Sequence, residues 1–343
     1  MIVFTLALPA NSADWNQYRE NEARVKAIAA NPEGIGDKEL QFLMSHLYYP
    51  DSITAITKAQ TPEARAALWQ MALGGGNGSQ TAAYALIKRM TNKLERLKLL
   101  DSKSPEVQAL ALRGMAGCAL DRRAWEVVKS FLLSDSLELR RRAAYVTSND
   151  SGDEVGAREK AEALVQALSG LESLPGADKR VWFPVASPHA DLPCGAAEYA
   201  WARLTSALMS PRLAVSVAAL RELTPGEDGM IRDCLIIARA SRGDESAKLD
   251  LRRIVREQTA SVVRFTALGA FALAGALDDL AVLEEVAQKD PALIKNWMPP
   301  TSVSPEDGIP RDYYPLRERA REVIRTIEQP AASPSSPKPP PTR

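Results

Sequence analysis

The chain has 343 residues, with 43 basic against 43 acidic side chains, 45% hydrophobic and 25% charged residues. That composition excludes wholesale disorder and a multi-span membrane protein, and a formal net charge of zero argues against a protein built mainly to coat nucleic acid. Three scattered cysteines (Cys118, Cys194, Cys234) are too few for a disulfide-stapled fold, and two histidines (His46, His189) leave little material for metal or acid–base chemistry.

Residues 1–13 open with an apolar octet, Met1 to Leu8, followed by Pro-Ala-Asn-Ser-Ala. This pattern predicts the remnant of a secretory signal peptide cut after Ala10 or Ala13, or else an apolar strap packed on the first helix. On that ground an extracytoplasmic location, periplasmic or secreted, is favoured over a cytoplasmic one. Residues 14–328 then read as helix after helix. Ala, Leu, Arg, Glu and Lys dominate, and alternating β-branched segments are scarce. Helices are expected near 15–30, 37–48, 62–73, 80–100, 105–116, 122–133, 137–148, 155–169, 195–209, 211–223, 228–241, 246–257, 260–275, 279–289 and 315–328.

Several starts carry a hydroxyl residue before proline: Thr61-Pro62, Ser104-Pro105, Ser210-Pro211 and Thr224-Pro225. The hydroxyl accepts from a free N–H of the first turn, and proline at the first helical position loses no hydrogen bond. Ends are marked by Gly74–Gly78, Gly117, Ser134-Asp135 and Gly243-Asp244. The longest uncharged apolar run in the C-terminal half, Phe265 to Leu277, has thirteen residues and is too short for a bilayer; no transmembrane segment is expected. Residues 329–343 hold six prolines among Ser and Ala without a large apolar anchor, so a disordered tail is expected.

The helices resemble one another. Val107-Gln108 leads to Ala111, Leu139-Arg140 to Ala143, Ile231-Arg232 to Leu235, Val263-Arg264 to Ala267 and Leu316-Arg317 to Ala320. Val107 to Leu139 and Ile231 to Val263 are each 32 residues apart, and a second apolar helix follows several units. This pattern resembles the HEAT-repeat family of armadillo-type solenoids, with the best matches at Ser104–Tyr145 and Ile231–Gln288. The resemblance implies an all-α fold, a right-handed α-solenoid of HEAT-like hairpins interrupted by two long irregular loops. One hairpin cannot bury its own apolar face, so units must stack. Arg after the first apolar residue is expected to reach carboxylates or carbonyls of the neighbouring unit. The stretches 149–228 and 290–314 depart from the pattern.

Those departures contain the two loops, Gly170–Gly195 and Asp290–Pro315, where large aromatics sit beside arginine. Arg180, Trp182, Phe183, Trp297, Arg311, Tyr313 and Tyr314 are the candidate protein-binding residues, because Trp, Tyr and Arg anchor interfaces well. The competing reading folds Trp182, Phe183, Trp297 and Tyr313 down over a helical groove. His189, Asp191 and Cys194 match no catalytic or metal-ligand spacing, so no catalytic residue, metal or cofactor is assigned. Gly74–Ser79 precedes a helix but lacks the Lys-Ser/Thr of a P-loop.

Residues 80–142 carry 13 basic and 7 acidic side chains, including Lys88, Arg89, Lys93, Arg96, Lys98, Arg122, Arg123 and Arg140–Arg142. This block is the only material for phosphate binding, and solvated helix faces explain it as well. The leading expectation is a non-catalytic scaffold for a protein partner. The alternatives are an enzyme (a lyase or nucleic-acid-processing activity) on a HEAT-like scaffold, or a nucleic-acid-binding solenoid using the basic block.

Overall fold

A computed structural model describes residues 12–47, 49–76, 78–90, 92–152, 154–184, 191–223, 229–297 and 311–329. The protein is mostly helical, and its contacts divide it into two compact units, Met1–Cys118 and Ala119–Arg343. The signal-peptide reading and the proline-rich tail fall almost wholly on residues outside those described.

The first unit contains α1 (Ser12–Ala30), α2 (Asp37–Ser45), α3 (Pro50–Lys58), α4 (Pro62–Gly74), α5 (Ser79–Arg89), a 3-10 stretch (Lys93–Asp101) and α6 (Pro105–Met115). Helix α3 packs on α1, α2, α4 and α5, and α5 packs on α4 and α6. The hydroxyl-proline starts behave as expected here: Thr61 Oγ1 accepts from Ala64 N at 3.1 Å and Ser104 Oγ from Val107 N at 3.3 Å. Two expectations change. The helix over 80–100 ends at Arg89, whose guanidinium turns back to the carbonyls of Thr57 and Ala59. Helix α3 opens on Pro50 behind Tyr49 with no side-chain cap on its first turn, so the usual hydroxyl signal is missing. Gly78 has φ +80°, and a Cβ there would lie 2.6 Å from Ile53 Cδ1, so the glycine turn is closed by packing.

The second unit contains α7 (Arg122–Leu132), α8 (Leu137–Ser148), α9 (Ala157–Leu168), β1 (Arg180–Pro184), β2 (Asp191–Gly195), α10 (Ala196–Met209), α11 (Val217–Glu222), α12 (Gly229–Ala240), α13 (Glu245–Glu257), α14 (Ser261–Ala274), α15 (Leu280–Lys289), β3 (Ile294–Trp297), β4 (Arg311–Tyr313) and α16 (Pro315–Glu328). Helices α8, α10, α14 and α16 form a row in which each packs on the next. Behind them α7 packs on α8, α9 on α10, α12 on both α10 and α14, α13 on α14, and α15 on α16. Trp125, Trp201 and Phe271 are fully buried between these layers.

Polar ties join neighbouring hairpins across 25 to 34 residues of sequence. Arg140 Nη1 donates to Ala167 O at 2.8 Å, Arg252 binds Asp279 through Nε and Nη2, and Arg264 pairs with Asp290. Arg317 Nε donates to the Asp290 carbonyl at 2.8 Å, and Ser102 Oγ to Ala72 O at 2.6 Å. Arg140, Arg264, Asp279 and Asp290 are all buried. Of the arginines that follow the first apolar residue, Arg140 and Arg264 reach the following unit and Arg317 reaches back to the preceding one.

Two further expectations are corrected. Ser210-Pro211 opens only the 3-10 turn Pro211–Leu213, which stops at Ala214 with φ +51°; the helix begins at Val217 with Ser216 as its cap. Thr224-Pro225 lies outside the described residues. The two long loops are not wholly irregular: each forms an antiparallel β-hairpin. In β1–β2 the pairs are Arg180↔Gly195, Val181↔Cys194, Trp182↔Pro193, Phe183↔Leu192 and Pro184↔Asp191. In β3–β4 they are Ile294↔Tyr313 and Trp297↔Arg311, with a bulge between. Prolines argue against a central strand, but both strands of a two-stranded hairpin are edges, where proline is tolerated. No described helix is long and apolar enough to cross a membrane.

The Asp244 carboxylate, buried at the start of α13, accepts from Arg221, Arg239 and Ser246. The Arg221 bond leads, and Ser246 and Arg239 add to it, so that against the opposing pull of burial the carboxyl is held well below its usual range. A depressed folded-state pKa adds stability above the unfolded value of about 3.9, and that stability is lost as pH falls through the folded value. Thermal melts between pH 7 and 2 are therefore expected to show an acid loss below about pH 4 that is shallower in Asp244→Asn. Parallel acid limbs in the two proteins would contradict this assignment.

Candidate functional site

The β1–β2 hairpin lies against the middle of the four-helix row, both strands on α10 and β2 on α14. Alternation along β1 turns Phe183 and Trp182 to opposite sides. Phe183 is buried, with its ring 5.3 Å from Tyr199 on α10 and 5.7 Å from Phe265 on α14, both edge-on. Trp182 points away and is 61% exposed. Of the two rings, Phe183 is therefore packed over the helices and Trp182 is left exposed.

Three guanidinium groups surround this aromatic core. Arg141 of α8 lies 4.3 Å from the Tyr199 ring centroid, and Arg203 of α10 lies 5.2 Å from Phe183 and 5.3 Å from Tyr199. Arg319 of α16 lies 5.5 Å from Phe265, with its Nη2 3.6 Å from where a Cβ on Gly269 would stand. Phe265 and Gly269 are four residues apart and so share one side of α14. Arg141 and Arg203 both donate to the Tyr199 hydroxyl oxygen, Arg203 at 3.3 Å. Glu138 pairs with both Arg141 and Arg142. Burial opposes ionisation of Glu138, but the two arginines outweigh it and hold the carboxyl below its ordinary range. Arg319 pairs with Glu322, while its Nε is buried without a partner.

The remaining sequence candidates are dispersed. Arg180 is exposed on β1. Trp297 and Arg311 face each other in the β3–β4 register, but their side chains lie outside those described. Tyr313 is half-buried, and Tyr314, at the cap of α16, has the Arg317 guanidinium 3.9 Å over its ring. The candidates thus sit on two separate hairpins, and only Phe183 joins the guanidinium cluster.

Five arginines of the basic block are engaged within the protein: Arg89 and Arg140 hold carbonyls, Arg122 binds Glu159, and Arg141 and Arg142 bind Glu138. His189 lies outside the described residues. His46 closes α2, with Nδ1 2.8 Å from Phe42 O and its ring against Phe42. Cys118, Cys194 and Cys234 are buried thiols. Burial, with Glu198 adding to it, pushes the Cys194 thiol up to about 12, and burial pushes Cys234 to about 12. Among the described residues no group of three His, Cys, Asp or Glu is placed to hold a metal ion.

No protein-family model and no curated protein sequence matches the chain. Tyr199, Arg203 and Arg319 did not stand out in the sequence, and Arg141 and Phe265 did so only as members of the basic block and of an apolar run. The Tyr199–Arg203 spacing of four was visible, yet which side of α10 meets the hairpin follows only from packing.

Two outcomes follow from this geometry. Phe183→Ala should lower unfolding free energy by about 3 kcal/mol, whereas Trp182→Ala should change it by less than about 0.5 kcal/mol; equal melting shifts would contradict their opposite orientation. The three thiols should resist iodoacetamide at pH 8 in the native protein and react on denaturation; rapid native labelling of Cys194 would overturn its buried, protonated state.

Proposed function

We propose that the chain is a right-handed α-solenoid of HEAT-like hairpins that acts as a non-catalytic scaffold, docking another protein on the exposed side of the α8–α10–α14–α16 row. The single observation that carries this reading is the surface itself, where exposed aromatic and apolar side chains flank a guanidinium cluster. Tyr145, one turn beyond Arg141 on α8, is 52% exposed; Leu273, one turn beyond Gly269 on α14, is 50% exposed. Trp182 is exposed on the β1–β2 hairpin. Large amphipathic rings next to arginine are the chemistry that concentrates binding energy at interfaces. The repeated helical hairpins and their neighbour-to-neighbour ties support the HEAT-like assignment.

A photo-crosslinking residue placed at Tyr145 or Leu273 is expected to capture a protein partner in extracts of the source cells. The same residue at Leu249, exposed on α13 in the backing layer, should capture none. Trp182→Ala should reduce the captured partner about tenfold. Capture that is equal at all three positions, or unaltered by Trp182→Ala, would overturn the reading.

A further inference from the structure

We propose that the docking face carries a built oxyanion subsite, centred on the Tyr199 hydroxyl and flanked by Arg141 and Arg203, that takes the carboxylates of an acidic, extended segment of the partner. This inference rests on the docking reading and adds the chemistry of what docks.

Two positively charged groups converge on one neutral oxygen. Both Arg141 Nη1 and Arg203 Nη2 donate to the Tyr199 phenol, which places the two nitrogens within about 6 Å of each other. Such proximity is unfavourable unless a negative charge lies nearby. Glu138 supplies one, but it is shared between Arg141 and Arg142. Among the described residues Arg203 has no carboxylate within ion-pair distance, and its hydrogen bond there is to the phenol. Across Phe265, Arg319 has one carboxylate, Glu322, and an unmatched buried Nε. Four guanidiniums therefore face two carboxylates, leaving donors free for an incoming anion.

The donors are also held in place. Arg141 and Arg203 stack on Tyr199, Arg203 also on Phe183, and Arg319 on Phe265. Stacking fixes each guanidinium plane, so less side-chain freedom is lost when a carboxylate accepts from its fork. Arg203 to Arg319, by way of Phe183 and Phe265, proceeds in steps of 5.2, 5.7 and 5.5 Å. The two ends are thus no more than about 16 Å apart, a span of about five residues of extended chain at 3.3 Å each. Acidic side chains a few residues apart on one extended segment can therefore reach both ends. Exposed Tyr145 and Leu273 lie at the margins of the same face, where they would receive apolar side chains between the acidic ones. Charge complementarity and spacing together favour an acidic peptide carrying bulky apolar residues.

The test uses fluorescence anisotropy with the full chain at low salt and four probes. They are a labelled peptide with paired glutamates five residues apart and Phe and Leu between, the same peptide with lysines for glutamates, inorganic phosphate as competitor, and a labelled single-stranded oligonucleotide. The acidic peptide is expected to bind and the lysine peptide not. Arg203→Ala should weaken binding about tenfold, and Arg203→Lys, which keeps charge but loses the fork, should restore it only in part. Arg319→Ala is the second variant should Arg203→Ala fold poorly, and should also weaken binding.

Equal binding of both peptides, or binding unaffected by either alanine variant that retains its melting temperature, would overturn the proposal. So would preferential binding of the oligonucleotide, or full competition by millimolar phosphate. If partner crosslinks at Tyr145 persist while Arg203→Ala leaves peptide binding unchanged, the oxyanion subsite fails and the docking reading stands. If Arg203-dependent peptide binding is found without any crosslinked partner, the subsite stands and the docking reading fails.

Discussion

Each helical hairpin in this chain has an apolar side it cannot cover alone, and the neighbouring hairpin covers it. Burial supplies most of the attraction, since it scales with the apolar area removed from water. Burial is also non-directional and would tolerate several registers. The guanidinium ties across 25 to 34 residues remove that freedom. Arg140 must find the Ala167 carbonyl, Arg252 the Asp279 carboxylate and Arg264 that of Asp290. A buried charge left without its partner costs several kcal/mol, so a slipped register is penalised far more than a misplaced leucine. The ordered row that presents the candidate site depends on this constraint.

Much of that architecture was legible in the sequence, because its signals are local. Thr61 and Ser104 before proline mark helix starts wherever the first turn has free N–H groups, and they held. The positions of Arg140, Arg264 and Arg317 after an apolar residue were equally readable, and each reaches a neighbouring helix or its end. Ser210-Pro211 failed because capping chemistry fixes where a turn begins and not how long it continues; Ala214 ends it at once. The two hairpins were illegible for a related reason. Pro184, Pro193 and Gly195 punctuate the chain like loop residues, and only pairing across a gap converts them to strands.

The site was less legible than the fold. Sequence reasoning reached Trp182 and Phe183, because aromatics beside arginine in a long connection are unusual. It could not divide their roles, since one residue of register decides which ring is buried. The rest of the cluster comes from α8, α10, α14 and α16, separated by as many as 178 positions between Arg141 and Arg319. No local pattern links residues so far apart; the stacking of hairpins brings them together.

Asp290 stands where the chain leaves α15 for the β3–β4 excursion, and Arg317 stands just after the chain returns. Arg264 holds the Asp290 carboxylate and Arg317 its carbonyl, so the excursion is clasped at its root. The two arginines thus fix where the chain leaves and where it rejoins the helical packing, so a substitution at Asp290 would disturb α14 and α16 together.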